Sequence, residues 1–143
     1  MFVALPLLAI PVVLYNLIAV AKMAGGGAAT TNATLTQTLF TVPMASGASW
    51  SLTSGDLLIL LSLFMLFFEL LKATTSRRVA IVNHSLSMIV FIVCLVEFLL
   101  VPAFATSVFF LITMMTLLDV LAGFIVTIIT ARKDFDFGGG AAE

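Results

Sequence analysis

The sequence predicts an all-α membrane protein, four transmembrane helices with a short β-hairpin in the first outer loop. Three observations lead there. Hydrophobic residues make up 62% of the 143 and charged residues only 9%, with a mean hydropathy of +1.28, whereas an ordinary soluble domain is about a quarter charged. Four apolar runs approach the roughly 20 residues needed to cross a hydrocarbon layer of about 30 Å. Between the first two runs lies a stretch rich in Gly, Ala, Thr and Ser that alternates in polarity over short segments.

The first span covers about residues 2–21. Pro6 and Pro11 each remove a backbone donor that lipid cannot replace, so this span should bend or loosen, and neighbouring groups must compensate. It lacks a basic n-region and its apolar run is long for a signal peptide, which favours a membrane helix. The outer loop, 23–53, opens with Gly25, Gly26 and Gly27. Thr34 to Val42 and Ser49 to Thr53 have strand character, and Ala45-Ser46-Gly47-Ala48 supplies turn chemistry between them. A hairpin lying against the outer membrane surface follows. Trp50 suits the aromatic belt of a bilayer interface, and together with Phe40 it is a candidate contact for a partner protein.

The second span, about 54–72, has its start marked by Thr53 and Asp56 at capping-box spacing. Pro102 separates a third span, 79–101, from a fourth, 103–130, and leaves a tight turn, so these two should form an antiparallel hairpin. Residues 1–137 then make one four-helix domain, and 138–143 reads as a flexible tail. Lys72, Arg77, Arg78, Arg132 and Lys133 fall on one side, with Lys22 the exception. Basic residues collect in short cytoplasmic segments, which predicts cytoplasmic termini and a periplasmic 23–53 loop in a bacterial inner membrane.

Polar groups inside the spans cost about 2.5–3.5 kcal/mol each when charged and central, so each asks for a partner or a purpose. At 100° per residue Asn83, Ser87, Val90, Cys94 and Glu97 share one face of the third span. Thr113, Thr116, Asp119, Gly123, Thr127 and Thr130 share one face of the fourth, and Ser62 and Glu69 mark the second. Such stripes let membrane helices approach closely and exchange hydrogen bonds. By depth, Glu69 and His84 lie at a similar level and are expected to pair, with Lys72 as a second counter-charge for Glu69. Asp119 falls near mid-membrane and Glu97 toward the outer end, so Glu69, His84, Asp119 and Glu97 form a possible ion ladder. Its plainer reading is hydrogen bonding that sets helix register.

Several classes are disfavoured. A net charge of -1 gives no basic field for nucleic acid. Cys94 is the one cysteine and reads as a small buried hydrophobe, and no metal site or cofactor is expected. No phosphate loop, nucleophile elbow, zinc helix motif or dinucleotide fingerprint occurs, so no catalysis is expected.

Phe40-Thr41-Val42-Pro43, the run Trp50 to Leu58, and the run Phe91 to Phe98 resemble small four-span proteins of alphaproteobacterial inner membranes, over roughly Leu35 to Arg132. That resemblance implies a location and lends no activity. The functional expectation is a noncatalytic membrane subunit that assembles through polar helix faces and its outer loop, with copies of itself or within a larger complex, among membrane lipid. Alternatives are a proton or cation channel or transporter, and a subunit that binds lipid, quinone or pigment.

Overall fold

The computed structural model describes residues 5–23, 25, 27–73 and 77–138, with side chains except at 73, 77–81 and 130–138. The described chain forms α1 (Ala9–Met23), α2 (Ala28–Leu35), β1 (Thr38–Pro43), β2 (Ser49–Thr53), α3 (Ser54–Ala73), α4 (Arg77–Leu100), a 3-10 turn (Pro102–Phe104) and α5 (Ser107–Gly138). Three helices, over Ser54–Lys72, Val82–Leu100 and Ser107–Ile129, are long and apolar enough to cross a membrane.

α1 is shorter than expected. It has 15 residues, about 22 Å at a rise of about 1.5 Å each, and begins at Ala9 rather than near residue 2. The cause is local: Pro6 cannot donate, and Leu5–Leu8 instead form a turn in which Ala9 N–H donates to Pro6 O at 3.1 Å and Ile10 N–H to Leu7 O at 3.0 Å. Pro11 is tolerated because it falls in the first helical turn, where backbone N–H groups have no intrahelical acceptor.

The loop holds a helix that its composition does not announce. Gly27, at φ 64°, opens α2, and Thr31 and Thr34 turn their hydroxyls onto Gly27 O and Thr30 O within the same helix. Its own propensity is low; burial of Thr31 and Leu35 against the bundle decides the outcome. Ser54 Oγ donates to Thr34 O at 2.6 Å, and a Cβ at Gly55 would lie 2.9 Å from Leu35 O, so only glycine lets α2 sit this close to α3.

The expected hairpin forms, with β1 beginning at Thr38 because Thr34 and Leu35 belong to α2. Gly47 takes φ 83° at the turn, where Met44 N–H donates to Ala48 O at 2.8 Å. Phe40 lies opposite Leu52 and Val42 opposite Trp50, which puts four apolar side chains on one face, since direct partners and alternate residues share a side. Thr41 and Ser51 occupy the other. All of β1 is exposed, and Leu52 alone of the hairpin's apolar residues is buried.

The capping box is present in full: Thr53 N–H donates to Asp56 Oδ2 at 2.9 Å and Asp56 N–H to Thr53 Oγ1 at 3.1 Å. α5 starts four residues later than expected, because Pro102 nucleates the 3-10 turn and Thr106 then caps the helix by accepting Phe109 N–H at 3.2 Å. Its helix reaches Gly138; 139–143, most of the expected tail, and the side chains of Arg77, Arg78, Thr130, Arg132 and Lys133 lie outside the described residues.

α4 and α5 pack side by side, and α3 packs on α5. Near the hairpin end the core gathers Val12, Tyr15, Ala19, Leu58, Cys94, Phe104, Phe109 and Ile112. The polarity is inverted relative to a water-soluble bundle: Ser62, Glu69, Asn83, Ser87, Thr113, Thr116 and Asp119 are buried, while Leu63, Phe64, Phe67, Ile89, Ile125 and Ile128 are more than half exposed. Apolar side chains face out and polar ones fill the seams.

Candidate functional site

Buried Glu69, Asn83, Ser87 and Asp119 gather toward the Lys72 end of the bundle. Glu69, fully buried in α3, accepts Leu7 N–H at 2.6 Å through Oε2. Its Oε1 receives Asn83 Nδ2 and Lys72 Nζ, the latter at 3.4 Å. Lys72 also donates to Asn83 Oδ1 at 2.9 Å and to Leu5 O at 2.6 Å. The non-helical Leu5–Leu8 segment has backbone groups that no helix satisfies, and a carboxylate and an ammonium one turn apart on α3 satisfy two of them. This is the compensation that Pro6 demands.

The expected pairing of Glu69 with His84 does not form. Adjacent helix positions diverge by about 100°, so Asn83 points at α3 and takes the Glu69 carboxylate, while His84 points at α5. There its ring meets Phe124 edge-on at 4.7 Å between centroids and covers Gly123, where an added Cβ would stand 2.1 Å from His84 Nδ1. Both His84 nitrogens, Ser87 Oγ and Asp119 Oδ2 are buried without a hydrogen-bond partner among the described residues. Ser87 and Asp119 face each other across the α4–α5 seam, with Glu69, Lys72 and His84 within electrostatic reach of Asp119.

Glu97 belongs to a separate group nearer the hairpin end. It accepts Asn16 Nδ2 at 3.1 Å, and Asn16 also donates to Val12 O. Tyr15 Oη lies 2.5 Å from Thr106 Oγ1 close by. Ten residues of α4, about 15 Å of rise, separate Ser87 from Glu97. The intervening hydroxyls are turned onto their own helices: Thr113 donates to Phe109 O at 2.9 Å and Thr116 to Thr113 O at 2.7 Å. The four ionisable groups therefore form two clusters rather than an even ladder. Ser62, Thr113 and Thr116 are buried in the seams as expected, with Ser62 Oγ donating to Leu58 O. Thr127 departs from the stripe; it is exposed and donates to Gly123 O.

Phe40 and Trp50, 54% and 51% exposed, belong to neither cluster. Sequence reasoning passed over Tyr15, Asn16 and Thr106. The Tyr15-Asn16 pair was visible as the polar break in the first apolar run; Thr106 carried no signal separating it from other threonines. Among the described residues no three His, Cys, Asp or Glu side chains gather as a metal site.

Comparison with known proteins finds no matching family, no similar curated protein and no similar solved structure. The likeness to alphaproteobacterial membrane proteins rests on the sequence strings alone.

Proposed function

We propose that this chain is a noncatalytic integral membrane subunit that crosses a bacterial inner membrane four times and associates through its outer loop, with copies of itself or within a larger complex. The observation that carries this reading is where the two kinds of surface lie. The polar helix faces are buried inside one chain, whereas Phe40, Val42 and Trp50 form an exposed apolar face on a hairpin that packs on the bundle only at its base. Large aromatic residues exposed together are typical anchors of protein interfaces. Leu5–Leu8, tied to Glu69 and Lys72, extends the short α1 to the Lys72 end, which supports a fourth crossing. The basic residues at 72, 77, 78, 132 and 133 support a cytoplasmic position for that end.

Solubilisation in mild detergent and native mass measurement test the reading. An assembly is expected; a lone chain of 15.2 kDa removes it. Trp50→Ala combined with Phe40→Ser should release monomers that keep the wild-type helical content.

A second reading, a proton or cation path, is favoured by the unpartnered polar atoms of Asp119, Ser87 and His84. It predicts that the protein in liposomes dissipates an ion gradient and that Asp119→Asn stops the leak. Tight wild-type liposomes remove it.

A further inference from the structure

The seam between α4 and α5 holds polar side chains that the Glu69 network leaves over. Asp119 is 5% exposed and Ser87 3%; the Ser87 hydroxyl lies within interacting reach of the Asp119 carboxyl, yet neither Ser87 Oγ nor Asp119 Oδ2 makes a hydrogen bond of ordinary geometry with a described residue. One turn beyond Asp119, Gly123 seats the His84 ring, whose two nitrogens are also without partners. Buried polar atoms are satisfied in the great majority of cases, so a group of four in one seam calls for a specific cause.

We propose that Asp119, with Ser87 and His84, forms a proton-binding site inside the bundle, on the Lys72 side. Among the described residues no counter-charge is hydrogen-bonded to Asp119 Oδ2 in this seam. From α3 Asp119 meets Glu69 and Lys72, but the lysine is committed to Glu69, Asn83 Oδ1 and Leu5 O. From α4 it meets His84, whose ring nitrogens make no hydrogen bond to a described residue, and the uncharged Ser87. An unpaired charge in an apolar interior is costly, and taking up a proton removes it. The same proton makes the Asp119 carboxyl a donor as well as an acceptor, so its contact with the Ser87 hydroxyl, itself donor and acceptor, can close with either group donating.

A metal cation fits the seam poorly. Hard cations take about six or more oxygen ligands, and α4 and α5 run as unbroken helices through this level, which keeps their carbonyls in helical bonds. Asp119 and Ser87 are then the oxygen donors of the seam. The site also ends blindly, because Cys94 and the back-bonded Thr113 and Thr116 intervene before Glu97. It is complete within one chain, so it goes beyond the subunit reading and survives both a monomeric mass and tight liposomes.

Infrared spectroscopy of the full chain in detergent, in H2O and D2O at neutral pH, tests the proposal. The expected result is a protonated-carboxyl band that shifts in D2O, vanishes in Asp119→Asn and persists in Glu97→Gln. A wild-type spectrum without the band, or a band that survives in Asp119→Asn, overturns the proposal. If Asp119→Asn does not fold, Ser87→Ala carries the test: loss of the hydroxyl should raise the band's frequency, and an unmoved band overturns it.

Discussion

Glu69 and Asp119 are both carboxyl groups buried at the same end of the bundle, yet their surroundings are opposite. Glu69 has three donors from three different segments: a backbone N–H before α1, an ammonium on its own helix and an amide on α4. Asp119 faces a serine and sits one turn from a histidine, and neither closes a bond to its Oδ2. Burial alone therefore does not distinguish a structural carboxylate from one free to do something else; the count of donors does. Glu69 holds the non-helical start of the chain in place, whereas Asp119 keeps an unused valence.

Substitutions can break or sharpen that contrast. Glu69→Ala should have the largest effect, because it leaves the buried Asn83 amide and the part-buried Leu7 N–H without their acceptor and Lys72 without its counter-charge; a loss of about 3 kcal/mol, the lower end for removing one partner of a buried pair, is expected, read by denaturant unfolding in detergent. A near-neutral result would show that the Leu5–Leu8 segment is not held by this carboxylate. Gly123→Ala comes next. Its Cβ would fall on the His84 ring, so the ring must leave the seam or the helices must separate, at about 1–3 kcal/mol, and His84→Ala in the same background should restore most of the loss. Glu97→Leu should cost about 1 kcal/mol, the scale of one hydrogen bond to a charged or polar partner, measured against Asn16→Leu, with the double variant showing non-additivity. Smallest of all should be Asp119→Asn, within about 0.5 kcal/mol of wild type, since no donor is orphaned by neutralising it. A cost equal to that of Glu69→Ala would erase the distinction between the two carboxyls.

Much of the fold was legible because lipid-length apolar runs, capping chemistry and turn residues act over short distances. Thr53 and Asp56 announced the start of α3, Gly47 and its neighbours the hairpin turn, and Pro102 the break between α4 and α5. α2 was not legible: Ala28 to Leu35 has weak helix formers, and the burial that stabilises it comes from elements distant in sequence. Pro6 signalled trouble in the first run without showing that the helix would wait until Ala9. Within the site, helical spacing put Asn83, Ser87, Asp119 and Gly123 on inward faces; Asn83, Ser87 and Asp119 are buried and Gly123 lies under the His84 ring. Depth along the helices pointed to His84 as the partner of Glu69, where the structure has Asn83, because that choice depends on the rotation of α4 about its own axis.

Apart from α2 and the late start of α1, the sequence by itself determined which segments are helical and apolar, where the hairpin turns, and which side chains must be kept out of an apolar surrounding. These follow from period, cap and composition, each a property of a few consecutive residues. Tertiary structure decided which polar group meets which: that Glu69 is bonded by the chain's own start, that His84 rests on Gly123, and that Asp119 is left with an open valence. Such pairings depend on ångström-scale distances between helices, and no spacing along one chain segment encodes them.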